Sequence, residues 1–110
     1  VLTPSDFGKL CEFRARDLLQ GSEIVEKYNS PYDLIWKKKR IEVKGTRKGT
    51  IVGWLLAGEN RFDLLLVFCD EIKKAYLIPF KELKKRNFWC GNLNIKGYSK
   101  FEIEATKIYG

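Results

Sequence analysis

Six apolar residues in a row, Leu64 to Cys69 (LLLVFC), constrain this chain more than any other stretch. A run that short and that uniform predicts a strand buried on both faces. The strand reads from Arg61 to Cys69, and Asp70 and Glu71 turn it. KAYLI, residues 74–78, predicts a return strand that Pro79 ends. FKELKKR, residues 80–86, predicts a basic amphipathic helix with Phe80 and Leu83 toward the core.

Upstream, Thr3-Pro4 supplies a capping hydroxyl and a first-turn proline, and Asp6 adds favourable charge near the helix N-terminus. Phe7, Leu10, Cys11, Ala15, Leu18 and Leu19 follow at helical spacing, and Gly21 is a stop signal. Glu12 falls at the border of that apolar stripe, where a carboxylate can reach past the helix toward a neighbouring strand. It could equally pair with Arg16, four residues on. Ser22 to Tyr28 predicts a strand and Asn29-Ser30-Pro31 a turn.

SPYDLIWKKKRIEVKGT, residues 30–46, predicts two strands joined by a tight basic turn near Lys37–Lys39. Glu42 and Lys44 share one face of the second strand, while Ile41 and Val43 point into a core. Asp33 precedes Glu42 by nine positions, so the hairpin brings the two carboxylates together beside the Lys44 ammonium. That is a seat for a hard divalent cation and the water it activates. In the contrary reading Glu42 and Lys44 are the solvated face of an amphipathic strand.

Composition sharpens the choice. The 110 residues suit one domain spanning 1–110, and 45% apolar with 32% charged residues is a globular profile. Cys11, Cys69 and Cys90 are too scattered for a zinc site, and their odd number predicts a reducing, intracellular setting. No apolar run nears the length of a membrane span, and no hydrophobic leader is expected ahead of the first helix. The chain has no histidine, which excludes Ser–His and Cys–His triads and a histidine general base. Carboxylates and lysines are left to carry any catalysis. A net charge of +7 predicts a polyanionic partner. Lys37, Lys38, Lys39 and Arg40 at the hairpin tip, with Arg47 and Lys48 beyond Lys44, suit a phosphodiester backbone.

Pro31 and Asp33 followed by Glu42-Val43-Lys44 resembles the PD-(D/E)XK nuclease superfamily, with Tyr32 inserted between proline and aspartate. The DLLLV…YLIP…EL pattern resembles its later sheet. The resemblance implies an α/β restriction-endonuclease-like core, with a central mixed sheet of four to five strands flanked by helices. It also implies a magnesium-dependent endodeoxyribonuclease, with manganese able to substitute. Asp33, Glu42 and the Val43 backbone carbonyl would bind the ion, and Lys44 would orient the attacking water and stabilise developing charge. Gly8 to Glu12 also matches the G-x-x-x-E helix of archaeal-type Holliday junction resolvases. That match implies a role for Glu12 at the metal, directly or through water, and a DNA contact for Ser30. It further implies branched DNA as substrate, a part in recombination, and a prokaryotic or viral host.

Cutting two strands predicts a homodimer, with Phe13 or the Trp54 region at its interface. The alternatives are a sequence-specific restriction or homing endonuclease of the same superfamily and a catalytically inactive basic DNA-binding module. A membrane-surface or RNA-binding protein rests on charge alone. Residues 49–60 give a short helix at most, because Gly53 and Gly58 interrupt it. Phe88–Gly91 reads as an aromatic turn. Leu93–Ile95 and Phe101–Ala105 read as short strands, and the polar residues between them as a second contact patch or an edge.

Overall fold

The computed structural model describes residues 2–26, 30, 32–53, 61–83 and 92–110, together with the backbone of 88–89. Helix α1 (Pro4–Leu18) begins where the capping signal predicts, with the Thr3 hydroxyl accepting from the Asp6 N–H at 3.1 Å. Its buried stripe is Phe7, Cys11 and Ala15. Gly21 follows at φ +84°, a backbone conformation that favours glycine.

The main sheet has six strands in the order β1-β2-β3-β5-β6-β9. They are β1 (Glu23–Ile24), β2 (Leu34–Trp36), β3 (Lys39–Thr46), β5 (Leu64–Cys69), β6 (Lys74–Pro79) and β9 (Glu102–Ile103). β3 and β5 run parallel, and the other neighbours are antiparallel. The sheet is thus mixed, and two-residue strands at both edges extend it beyond the four to five expected. Strand β4 (Ile51–Val52) forms a second, three-stranded sheet with β8 (Asn92–Asn94) and β7 (Phe88–Trp89), in the order β4-β8-β7.

β5 is buried on both faces, as its composition predicts. Leu64, Leu66 and Phe68 pack with Phe7, Cys11 and Ala15 of α1. Leu65, Val67 and Cys69 pack on the other side with Val52, Leu93, Ile95 and Tyr98. β3 divides its side chains the same way, because its register with β5 pairs Ile41 with Leu64, Glu42 with Leu65 and Lys44 with Val67. Ile41 and Val43 therefore lie under the helix, while Glu42 and Lys44 lie on the opposite face.

Several local expectations are corrected. In place of a helix over 80–86 there is a single 3-10 turn at Phe80–Glu82, followed by extended Leu83; residues 84–87 lie outside the described set. Proline at the turn's N-cap and the edge-to-face packing of Phe80 on Phe62 fix this segment against the sheet end. Phe88 and Trp89, the first half of the expected aromatic turn, form a strand, and residues 95–101 of the polar patch form 3-10 turns. The Ser22–Tyr28 strand reduces to Glu23–Ile24 among described residues. Residues 27–29, Pro31, 54–60, Cys90 and Gly91 lie outside the described set, and with them the Trp54 segment.

The helix sits unusually close to β3 at one point. A Cβ placed on Gly45 would lie 2.5 Å from Cys11 Sγ and 3.0 Å from Phe7 Cε2. Gly45→Ala should therefore cost about 1–3 kcal/mol through overpacking. Adding Cys11→Ala should recover part of that loss in a urea titration. Equal stability of Gly45→Ala and wild type would refute the contact.

The β2–β3 hairpin turns through two residues, Lys37 at φ 50° and Lys38 at φ 64°, between the paired Trp36 and Lys39. Positive φ at both positions is the pattern of a type I′ turn, which asparagine and glycine satisfy better than lysine. The double change Lys37→Asn with Lys38→Gly should raise thermal stability by about 1 kcal/mol. A fall in Tm would count against a strained turn.

Candidate active site

β2 ends opposite Ile41, so β3 continues past it with a bare edge. Two backbone contacts tie Asp33 to this corner: its N–H donates to the Ile41 carbonyl at 2.8 Å, and its carbonyl accepts from the Val25 N–H at 2.8 Å. The next N–H along that edge belongs to Val43. It donates to Asp33 Oδ2 at 2.8 Å, so a carboxylate replaces the missing strand. The N–H and C=O of a strand residue point to the same side, which turns the Val43 carbonyl toward Asp33 as well.

Asp33, Glu42, Val43, Lys44 and Glu12 line one cleft of about 660 Å³, together with Cys11, Gly45 and Arg47. Glu42 reaches it from the face of β3 away from the helix and Glu12 from the helix side. The Glu42 carboxyl faces that of Asp33 closely enough for the two to interact. Burial pushes the Glu42 carboxyl up to about 9; the interaction with the Asp33 carboxyl and the Asp33 charge add to the rise, while Lys44 and Arg61 oppose it. Glu12 is also raised, first by burial and then by Asp33, with Lys9 opposing.

The acids thus fall into an interacting pair, Asp33 and Glu42, and a third member on another element. Among the described residues no group of three acid, cysteine or histidine side chains is gathered tightly enough to cage a metal. A single three-carboxylate cluster is therefore not the geometry of the protein alone. Two carboxylates with a carbonyl are nonetheless an all-oxygen donor set. Magnesium is commonly held by one or two carboxylates plus substrate phosphate oxygens. A buried acid raised beside a second acid marks a place short of positive charge, so the residues fit such an ion.

The basic residues sort into different settings. Lys37, Lys38 and Lys39 are exposed at the hairpin tip, where Lys37 lies 4.5 Å from the centroid of the Trp36 ring. At about 3.3 Å per residue, the tip lies roughly 10 Å or more along β3 from Glu42. Arg40 forms an ion pair with Asp63 at 3.1 Å, and Asp63 also accepts the Arg40 backbone N–H, so this guanidinium serves the sheet. Arg47 stands at the cleft, 4.6 Å from the Phe7 ring centroid and 2.9 Å from the Leu2 carbonyl, and Lys48 is exposed beside it. The Ser30 hydroxyl donates to the Tyr32 carbonyl at 2.7 Å, the role of a turn-former.

Three features were not anticipated. Gly45 seats the helix; a glycine inside a strand was its only signal. Arg61 acts electrostatically on Glu42, and nothing in its sequence position marks it. Asp70 holds Arg14 at 2.8 Å, a pairing across 56 residues.

A mixed sheet with α1 on one face, an antiparallel hairpin carrying the acids and a parallel β3–β5 step define a restriction-endonuclease-like α/β fold. Among solved structures, that of the bacterial homing endonuclease I-Ssp6803I matches with a TM-score of 0.58 at 13% identity, over 73% of this chain and 71% of that one. No protein-family model and no curated protein matches the sequence. No helix of the described residues is long and apolar enough to cross a membrane.

The raised Glu42 carboxyl has a pH signature. Its folded value lies above the ordinary 4.5, so the folded state binds the proton more tightly than the unfolded chain. Its contribution is therefore fully present below pH 4.5 and is lost as pH rises toward 9. In metal-free protein, Glu42→Gln should gain Tm over wild type, with the gain small near pH 5 and widening to pH 9. Magnesium should shrink the gain. A gain that is the same at every pH would show that Glu42 does not hold the proton.

Proposed function

We propose that this chain is a magnesium-dependent DNA endonuclease that hydrolyses phosphodiester bonds in duplex DNA, in the manner of restriction and homing enzymes. The observation that supports it most is the meeting of Asp33, Glu42 and Lys44 at the bare edge of β3, inside a cleft that Glu12 also lines. Asp33, Glu42 and the Val43 carbonyl would hold the ion, which when bound supplies Lewis-acid polarisation of the phosphate and a more acidic water. Glu12 acts directly or through water. Lys44 shares a face with Glu42, so its ammonium orients the attacking water and offsets charge developing on the phosphate.

The exposed lysines of the hairpin tip, with Arg47 and Lys48, would track the DNA backbone, and Ser30 would lie close to it. The match takes in most of both chains, which supports the homing-type reading. The Gly8-to-Glu12 pattern remains the one argument for junction resolution. Cutting both strands calls for a two-fold dimer, and Phe13, which keeps 49% of its surface exposed, is our candidate for its interface.

The test is cleavage of supercoiled duplex, single-stranded and four-way-junction DNA, with and without magnesium. Duplex cutting that needs the ion is the expected result. Asp33→Ala and Glu42→Ala should reduce it to background, and Lys44→Ala should slow it at least about 100-fold while DNA binding persists. Paired symmetric cuts confined to the junction would replace this reading with a resolvase. Binding without cleavage on every substrate would leave an inactive DNA-binding module.

A further inference from the structure

Glu12 belongs to a different element from Asp33 and Glu42, so its distance from them depends on how α1 is rotated about its own axis. Cys11 marks the line of contact, because its sulfur meets the bare Cα of Gly45. At about 100° per residue, Glu12 lies roughly 100° to one side of Cys11 and Arg14 roughly 60° to the other. The helix thus turns Glu12 toward the hairpin edge and Arg14 toward β5.

There Arg14 is caught. Its guanidinium donates to Asp70 Oδ1 at 2.8 Å, and the same oxygen accepts from the Tyr109 hydroxyl at 2.7 Å. Arg14 also lies 6.0 Å from the Phe68 ring centroid and 5.6 Å from that of Tyr109. Asp70 is fixed in turn, because its backbone N–H continues the β3–β5 ladder to the Thr46 carbonyl at 2.9 Å. The pair is largely shielded, with 19% and 26% of the two side chains exposed. A shielded, doubly braced ion pair holds geometry far better than a surface one.

We infer that the Arg14–Asp70 pair, braced by Tyr109, is a positioning device that locks the rotation of α1 and so holds Glu12 in the cleft beside Asp33. None of the three residues lines that cleft. The inference rests on the metal-dependent reading above and adds to it residues that act only through Glu12.

A double-mutant cycle read by manganese calorimetry on the full chain tests it. Glu12→Gln and Asp70→Asn should each weaken manganese binding by roughly tenfold, the usual scale for supporting residues around a metal. The double variant should bind no more weakly than Glu12→Gln alone, since nothing is left for Asp70 to position. Tyr109→Phe is the milder variant: it should give a smaller loss that also vanishes in the Glu12→Gln background, whether or not Asp70→Asn folds. Losses that multiply, or Asp70 and Tyr109 variants that bind like wild type, would overturn the positioning role. If wild type binds manganese and Asp33→Ala abolishes it, the metal-dependent reading stands whatever the cycle gives. If wild type binds none, both fall.

Discussion

One hydrogen bond, from the Val43 N–H to Asp33 Oδ2, connects the architecture of this protein to its candidate chemistry. A strand that outruns its neighbour leaves backbone donors without partners, and such groups are costly once shielded from water. Here an aspartate side chain supplies the acceptor. The contact completes the sheet edge and at the same time fixes a carboxylate at the mouth of a cleft. The Val43 carbonyl turns the same way, and Glu42 precedes it by one residue. The arrangement follows from where β2 begins.

The same corner is electrostatically unfavourable in the absence of a cation. Burial and the Asp33 charge raise both Glu42 and Glu12, while Lys44 and Arg61 oppose the rise at Glu42 and Lys9 opposes it at Glu12. Elsewhere two of the chain's acids are neutralised by arginine, Asp63 by Arg40 and Asp70 by Arg14. The contrast separates acids paired within the fold from acids whose charge the fold leaves less fully matched. It also explains why the two aspartates at the ends of β5 stay out of the cleft, although composition alone cannot tell them from Asp33.

The parts of the fold carried by local chemistry could be read in advance. Thr3-Pro4 marked the helix start, LLLVFC the doubly buried strand, and the spacing from Asp33 to Glu42 the hairpin register, because each depends on neighbours in sequence. The second layer was legible only in part: Leu93–Ile95 reads as a short strand and largely coincides with β8, but its pairing with β4 spans some forty residues and leaves no local signal. The segment after Pro79 has helical periodicity, but its first residue is held by Phe62 instead. At the site, the pairing of Asp33 with Glu42 was legible from register. The distance of Glu12 was not, since it depends on a glycine contact and on an arginine pairing with a residue 56 positions away.

β3 serves two masters, and the two-residue hairpin loop is what keeps them in step. Leu34 is fully buried beneath α1, so β2 must present its even-numbered residues to the helix. Lengthening the loop by one residue would oppose Leu34 to an acid-bearing position of β3, forcing either a bulge or the withdrawal of Asp33 from the Val43 N–H. The loop therefore behaves as a ruler graduated in steps of two: substitutions at its tip leave the register alone, while single insertions displace Asp33 from a distance.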